Sequence, residues 1–242
     1  MKYLSSGSMM KQRKAFRHTM LMVFLVIAGT AFTQNTNDYT KAGDSDPAAK
    51  AILDKLRSKY DAYQTLEAEF TMVIELADQP KETQKGKIAR KGEQYRFEMG
   101  TQLVLCDNTA LWVIMHNNKM VQINDVPDPE EASGSLLTPQ SLFTFYDSGE
   151  FAYQLVQESD QGGKVIQQIE FKPLDDYADY SKLRLNVNKK LNQIESILAF
   201  AKDGSRFTFV IDNLKPNAPF SANYFTFVKS QFPAYDVEDL RE

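Results

Sequence analysis

The sequence predicts a mainly β protein with a few helices (α+β), built on a strongly curved antiparallel sheet of about 10–12 strands. Three observations carry that expectation. Residues 66–77 alternate strictly, with Leu66, Ala68, Phe70, Met72, Ile74 and Leu76 on one face and Glu67, Glu69, Thr71, Val73, Glu75 and Ala77 on the other. The same period-two pattern recurs in shorter runs, separated by turns rich in Gly, Asn and Asp. Only two segments interrupt it with helix-start chemistry.

The first 33 residues read as a cleaved signal peptide. Lys11, Arg13, Lys14 and Arg17 precede the apolar run 20–28, and Gly29, Thr30 and Ala31 follow. That run is shorter than the about 20 residues a membrane-spanning helix needs. Cleavage is expected after Ala31 or Thr33, with Met9 and Met10 as alternative starts. The single cysteine, Cys106, lies far from this region, so no N-terminal lipid acceptor exists and no internal disulfide can form. An exported, soluble chain that is not lipid-anchored is expected. Cleavage removes five of 28 basic residues and none of 32 acidic ones, leaving a charge of −9. Nucleic acid, which needs a basic face, is an unsuitable partner.

Residues 34–46 form a polar lead-in, and 47–242 a single domain without repeat or linker. Asp46 as N-cap and Pro47 at the first helical position open a helix with Ala48, Ile52, Leu53, Leu56 and Tyr60 as its stripe. After the long strand come runs at 83–90, 94–99, 102–106, 110–115 and 119–123, with a turn at Asp107-Asn108. Residues 126–135 are an acidic loop. Thr138-Pro139 starts a short apolar helix over 136–146. Strands resume at 151–157, 164–172, 180–188, 191–200, 205–212 and 223–228, with hairpin turns at Gly162-Gly163, Asn188-Lys189 and Asp203-Gly204. The two helices are expected to plug the concave side. A membrane barrel is disfavoured, because Glu67, Glu69, Glu75, Arg96 and Glu98 break any continuous lipid-facing band.

Residues suited to catalysis are few. His116 is the only histidine after the leader and lies in a turn, and Cys106 follows an apolar run as a small buried hydrophobe. One histidine and one cysteine make no zinc cluster, and Asp175, Asp176 and Asp179 lack the spacing of a calcium loop. No metal, cofactor or enzymatic activity is expected. Aromatic residues are abundant instead. Core packing explains each singly, while a curved sheet can also line a cavity with them.

Four segments in order resemble the periplasmic outer-membrane lipoprotein carrier family (LolA-like). They are Leu66-Glu-Ala-Glu-Phe-Thr, Gly86-Lys-Ile-Ala-Arg-Lys-Gly-Glu-Gln-Tyr-Arg-Phe-Glu, Leu103-Val-Leu-Cys-Asp-Asn-Thr-Ala-Leu-Trp-Val, and Phe225-Thr-Phe with Phe232-Pro233 and Asp236-Val237. The family's basic-residue–proline pair stands here as Arg90-Lys91-Gly92, and its Asp-Gly turn as Asp107-Asn108. The resemblance implies an incomplete β-barrel closed by a helical lid. It implies a monomeric carrier that takes acylated lipoproteins from an inner-membrane ATP-driven releasing complex to an outer-membrane acceptor. On that basis Phe70, Met72, Ile74, Tyr95, Phe97, Met99 and Trp112 are expected to wall an acyl cavity. Leu142, Phe143 and Phe145 would belong to the lid, and Arg90 or Lys91 would hydrogen-bond sheet to lid. Two alternatives stand beside it: a lipid-binding envelope sensor module, expected to sit beside a second domain or partner-binding extension, and a secreted lipid hydrolase using His116 as base.

Overall fold

The computed structural model describes residues 45–126, 143 and 145–241. The expected leader, most of the lead-in, the acidic loop after Val126 and most of the helix expected over 136–146 lie outside them.

Helix α1 (Pro47–Asp61) begins as its sequence dictates. Oδ1 of Asp46 accepts the Ala48 N–H at 2.8 Å, and Pro47 takes the first turn. The buried stripe is Ala49, Ile52, Leu53, Leu56 and Tyr60. Ala49 replaces the expected Ala48 because it lies three and four residues before Ile52 and Leu53, at the middle of the stripe, whereas Ala48 is exposed.

Twelve strands follow: β1 (Thr65–Glu75), β2 (Glu82–Lys91), β3 (Gln94–Met99), β4 (Gln102–Cys106), β5 (Leu111–Met115), β6 (Met120–Asn124), β7 (Phe151–Gln161), β8 (Lys164–Pro173), β9 (Tyr180–Asn188), β10 (Gln193–Ala201), β11 (Arg206–Pro216) and β12 (Asp236–Asp239). They form one curved, unclosed sheet in the order β12-β6-β5-β4-β3-β2-β1-β11-β10-β9-β8-β7. Two antiparallel meanders, β1–β6 and β7–β11, meet where β1 pairs with β11. The expected incomplete barrel of 10–12 strands is borne out.

Four local expectations are corrected. Residues 223–228 are not a strand: the Tyr224 and Thr226 amides donate to Ser221 and Asn223 carbonyls three residues back, which makes turns of an apparently alternating run. The last strand is β12 instead, exposed throughout and paired in parallel with β6, so the sheet is not wholly antiparallel. Leu76 and Ala77 leave β1 for a turn with Asp78 at φ 60°. The β9–β10 turn falls after Asn188, which ends β9 buried and accepts the Leu191 N–H at 3.0 Å, and positive φ falls at Asn192. The described end of the mid-chain apolar segment is Phe143 and a 3-10 turn, Phe145–Asp147.

The face that carries α1, the inner face, holds the main core. Ile52, Leu56 and Tyr60 of the helix pack with Phe70, Phe171, Leu185, Ile197 and Phe209 from the sheet and with Phe143, Phe145 and Tyr146. Asp46 ties the helix to the sheet edge as well as capping it. Its Oδ2 accepts the Leu155 N–H at 3.0 Å, its own N–H donates to the Tyr153 carbonyl at 2.9 Å, and Ser45 Oγ accepts the Tyr153 N–H. These bonds fill part of the free edge of β7, which also carries a register shift between Leu155 and Gln157. Replacement of Asp46 by Ala removes a cap and an edge acceptor together. Urea denaturation is expected to show a loss of about 1–2 kcal/mol, and Asp46→Asn, which keeps one oxygen acceptor, a smaller one.

Candidate functional site

Cross-strand partners share a face, so the pairing register maps the inner surface of β1–β6 as three rows. The first is Phe70, Gly86, Met99, Gln102, Met115 and Met120. The second is Ala68, Ile88, Phe97, Val104, Val113 and Gln122. The third is Leu66, Arg90, Tyr95, Cys106, Leu111 and Asn124. At the strand spacing of a sheet these rows are about 24 Å wide.

Burial falls along the first two rows, while in the third Tyr95 and Cys106 stay buried. Leu66, Ala68, Phe70 and Ile88 are buried, whereas Phe97, Met99, Val104, Leu111, Val113, Met115 and Met120 are only half-buried. An apolar floor thus runs out of the core toward β6 without being filled by it. It is joined to the core by packed rings, with Phe70 5.5 Å from Phe97 and 4.5 Å from Phe209 between centroids. The Phe70 ring lies over Gly86: a Cβ there would stand 2.3 Å from Phe70 Cζ and 2.5 Å from the Glu98 carbonyl oxygen. Only glycine fits under that ring.

The expected wall residues separate into four groups. Phe70 and Met72 belong to the packed core, with Ile74 part-buried against it. Phe97 and Met99 lie on the open floor. Tyr95 is buried beside Cys106, and that burial pushes its hydroxyl well above the usual phenol range. Trp112 is the correction. It pairs with Leu105, whose chain neighbours Val104 and Cys106 face inward, so it lies on the outer face and cannot share a cavity with Phe97. There it packs with Leu103, Leu105, Ile114 and Val121 beneath Phe227, Phe232 and Tyr235 of the C-terminal segment.

Arg90 and Lys91 are also told apart by register. Arg90 faces inward and its Nη2 donates to the Tyr60 carbonyl at 3.0 Å, while its buried Nε has no hydrogen-bond partner among the described residues. Lys91 is exposed and pairs with Thr65 and Gln94 on the other face. Phe143 stacks on Tyr60 at 5.3 Å and Phe145 lies tilted against Phe171 at 5.2 Å, so both reach into the helix-side core. Leu142 lies outside the described residues. His116 Nδ1 lies 2.8 Å from the Tyr235 hydroxyl, pinning the C-terminal segment to the β5–β6 turn. Among the described residues no group of His, Cys, Asp or Glu could hold a metal ion.

The inward residues of β4–β6, Val104, Leu111, Val113, Met115 and Met120, escape the sequence reading. Their signal is that 103–105 and 111–115 are apolar at every position. A strand without alternation is greasy on both faces and needs two covers.

A family model described as outer membrane lipoprotein carrier protein LolA matches residues 61–228. No match was found among curated proteins. Among solved structures, an uncharacterized conserved protein from Thermus thermophilus is similar at 10% identity and TM-score 0.48, over 81% of this chain and 99% of that one. A LolA superfamily protein from Nitrosomonas europaea is similar at 14% identity and TM-score 0.42, over 74% and 97%. The Mycobacterium tuberculosis lipoprotein LppX is similar at 10% identity and TM-score 0.44, over 73% and 99%.

Gly86→Ala is expected to displace the Phe70 ring and lower stability by about 1–3 kcal/mol, read from thermal or urea unfolding. Trp112 is the chain's one tryptophan, so its emission reports the outer cover. Phe227→Ala should shift that emission to the red, whereas Val113→Ala on the inner floor should leave it unchanged.

Proposed function

The chain belongs to the LolA family of outer membrane lipoprotein carrier proteins, and we propose that it is a soluble periplasmic carrier whose inner face of β3–β6 takes up the acyl chains of lipoproteins. The observation that carries this reading is the half-buried apolar floor of Phe97, Met99, Val104, Val113, Met115 and Met120, continuous with the core yet not filled by it. Each buried methylene gains about 0.8 kcal/mol, so an acylated protein needs such a cover to cross water. Methionine at three of these positions suits variable chains, since its unbranched thioether adapts to irregular gaps.

In this reading Phe143 and Phe145, with Leu142, form the lid side. Phe143 stacks on Tyr60 and Phe145 lies against Phe171. Arg90 holds the C-terminal end of α1 to the sheet through the Tyr60 carbonyl, so helix, lid aromatics and floor move against one fixed point. Loading comes from an inner-membrane ATP-driven complex and unloading goes to an outer-membrane acceptor.

The test uses purified mature protein and an environment-sensitive acyl probe. Saturable binding is expected, weakened at least about tenfold by Phe97→Glu and by Val113→Glu in variants with native circular dichroism. Trp112→Phe should bind as the parent does. Absence of saturable binding, or binding indifferent to both glutamates, overturns the carrier reading.

A further inference from the structure

Beyond residue 33 the chain holds four methionines: Met72, Met99, Met115 and Met120. All four stand on the inner face. Met72 pairs with Gln84, one step from the row that contains Met99, Met115 and Met120. The outer face of β4–β6 is filled instead by Leu103, Leu105, Ile114, Val121 and Ile123, with no methionine. The three row members are half-buried and sit at strand ends, beside the turns at 100–101 and 116–119, whereas Met72 is only 7% exposed. Gln102 lies between Met99 and Met115 in the same row, exposed to water.

A thioether is the apolar side chain that mild oxidants convert reversibly into a polar one. We propose that Met99, Met115 and Met120 form an oxidation site that sets the affinity of the inner face for acyl chains, a proposal that rests on the carrier reading. In each event the sulfur gives up two electrons and takes one oxygen atom from hypochlorous acid or hydrogen peroxide. The sulfoxide forms, and chloride with a proton, or water, leaves. The new S=O group is a strong acceptor that demands a hydrogen bond, and the Gln102 amide and water can supply it at this rim. The row becomes hydrated where it had been greasy, and bound chains lose their cover. Reduction of the sulfoxides by a thiol-dependent reductase restores the thioethers.

The experiment treats mature protein with limiting hypochlorite and follows each methionine by peptide mass spectrometry alongside acyl-probe titration. Met99, Met115 and Met120 are expected to gain one oxygen before Met72, and the probe Kd to rise about tenfold or more. The triple variant Met99→Leu, Met115→Leu, Met120→Leu, titrated before and after the same treatment, should keep after treatment whatever affinity it had before it. Methionine sulfoxide reductase should restore the parent. Oxidation of the row with unchanged affinity, or equal loss in the leucine variant, overturns the proposal. Absence of probe binding before any treatment overturns the carrier reading and this proposal with it.

Discussion

One ring, Phe70, joins the two halves of the sheet. Its strand is the one shared by the two meanders, pairing with β2 on one side and β11 on the other. The ring is held by Phe209 from the β11 side and by Phe97 from the β3 side, and it lies in the space that Gly86 leaves empty. The β1–β11 register also shifts between Glu69 and Phe70. Such an irregularity bends and twists a ladder locally, so the sheet turns at the point where this ring sits. Helix-side core and open floor are therefore one packed system rather than two.

The outer face has a separate solution. Strands β4 and β5 are apolar on both sides, and the C-terminal segment supplies the second cover. Asp107 fastens it: the carboxylate accepts from the Thr109 and Ala110 amides of its own turn and from the Thr226 hydroxyl of the segment. Arg96 adds a second tie, donating to the Tyr224 carbonyl and lying 5.0 Å over its ring. Burial alone would raise the Asp107 carboxyl, but the hydrogen bonds outweigh it and hold the group below its ordinary value. By linkage its contribution to stability is present at neutral pH and is lost as pH falls through that lowered pKa.

Much of this was legible in the residues. Asp46-Pro47 marked the helix start, the alternation of 66–77 marked β1, and Asp107-Asn108 marked a turn in which Asn108 takes φ 73°. Where patterns failed, the physics is specific. Trp112 follows Leu111 in a strand with no alternation, so its face could not be chosen from its neighbours; pairing with Leu105 decides it. The Tyr224–Phe227 stretch alternates like a strand but lies across a sheet rather than within one. Strand β12 is acidic and exposed on both faces, and only its partner β6 makes it a strand. Arg90 and Lys91 are neighbours with the same charge, separated only by which side of the pleat each takes.

The pairing of β1 with β11 also governs how the chain can fold. Its partners, such as Phe70 with Ile211, lie some two-thirds of the domain apart in sequence, so the sheet centre cannot form until nearly all of the polypeptide is available. Hairpins among β2–β6 close locally, but Phe70 waits for Phe209 of β11 and the outer rows wait for the last aromatic segment. Contacts of such long separation slow folding and prolong exposure of apolar surface. The central ladder of this topology can therefore set only after β11 has been made, late in the growth of the chain.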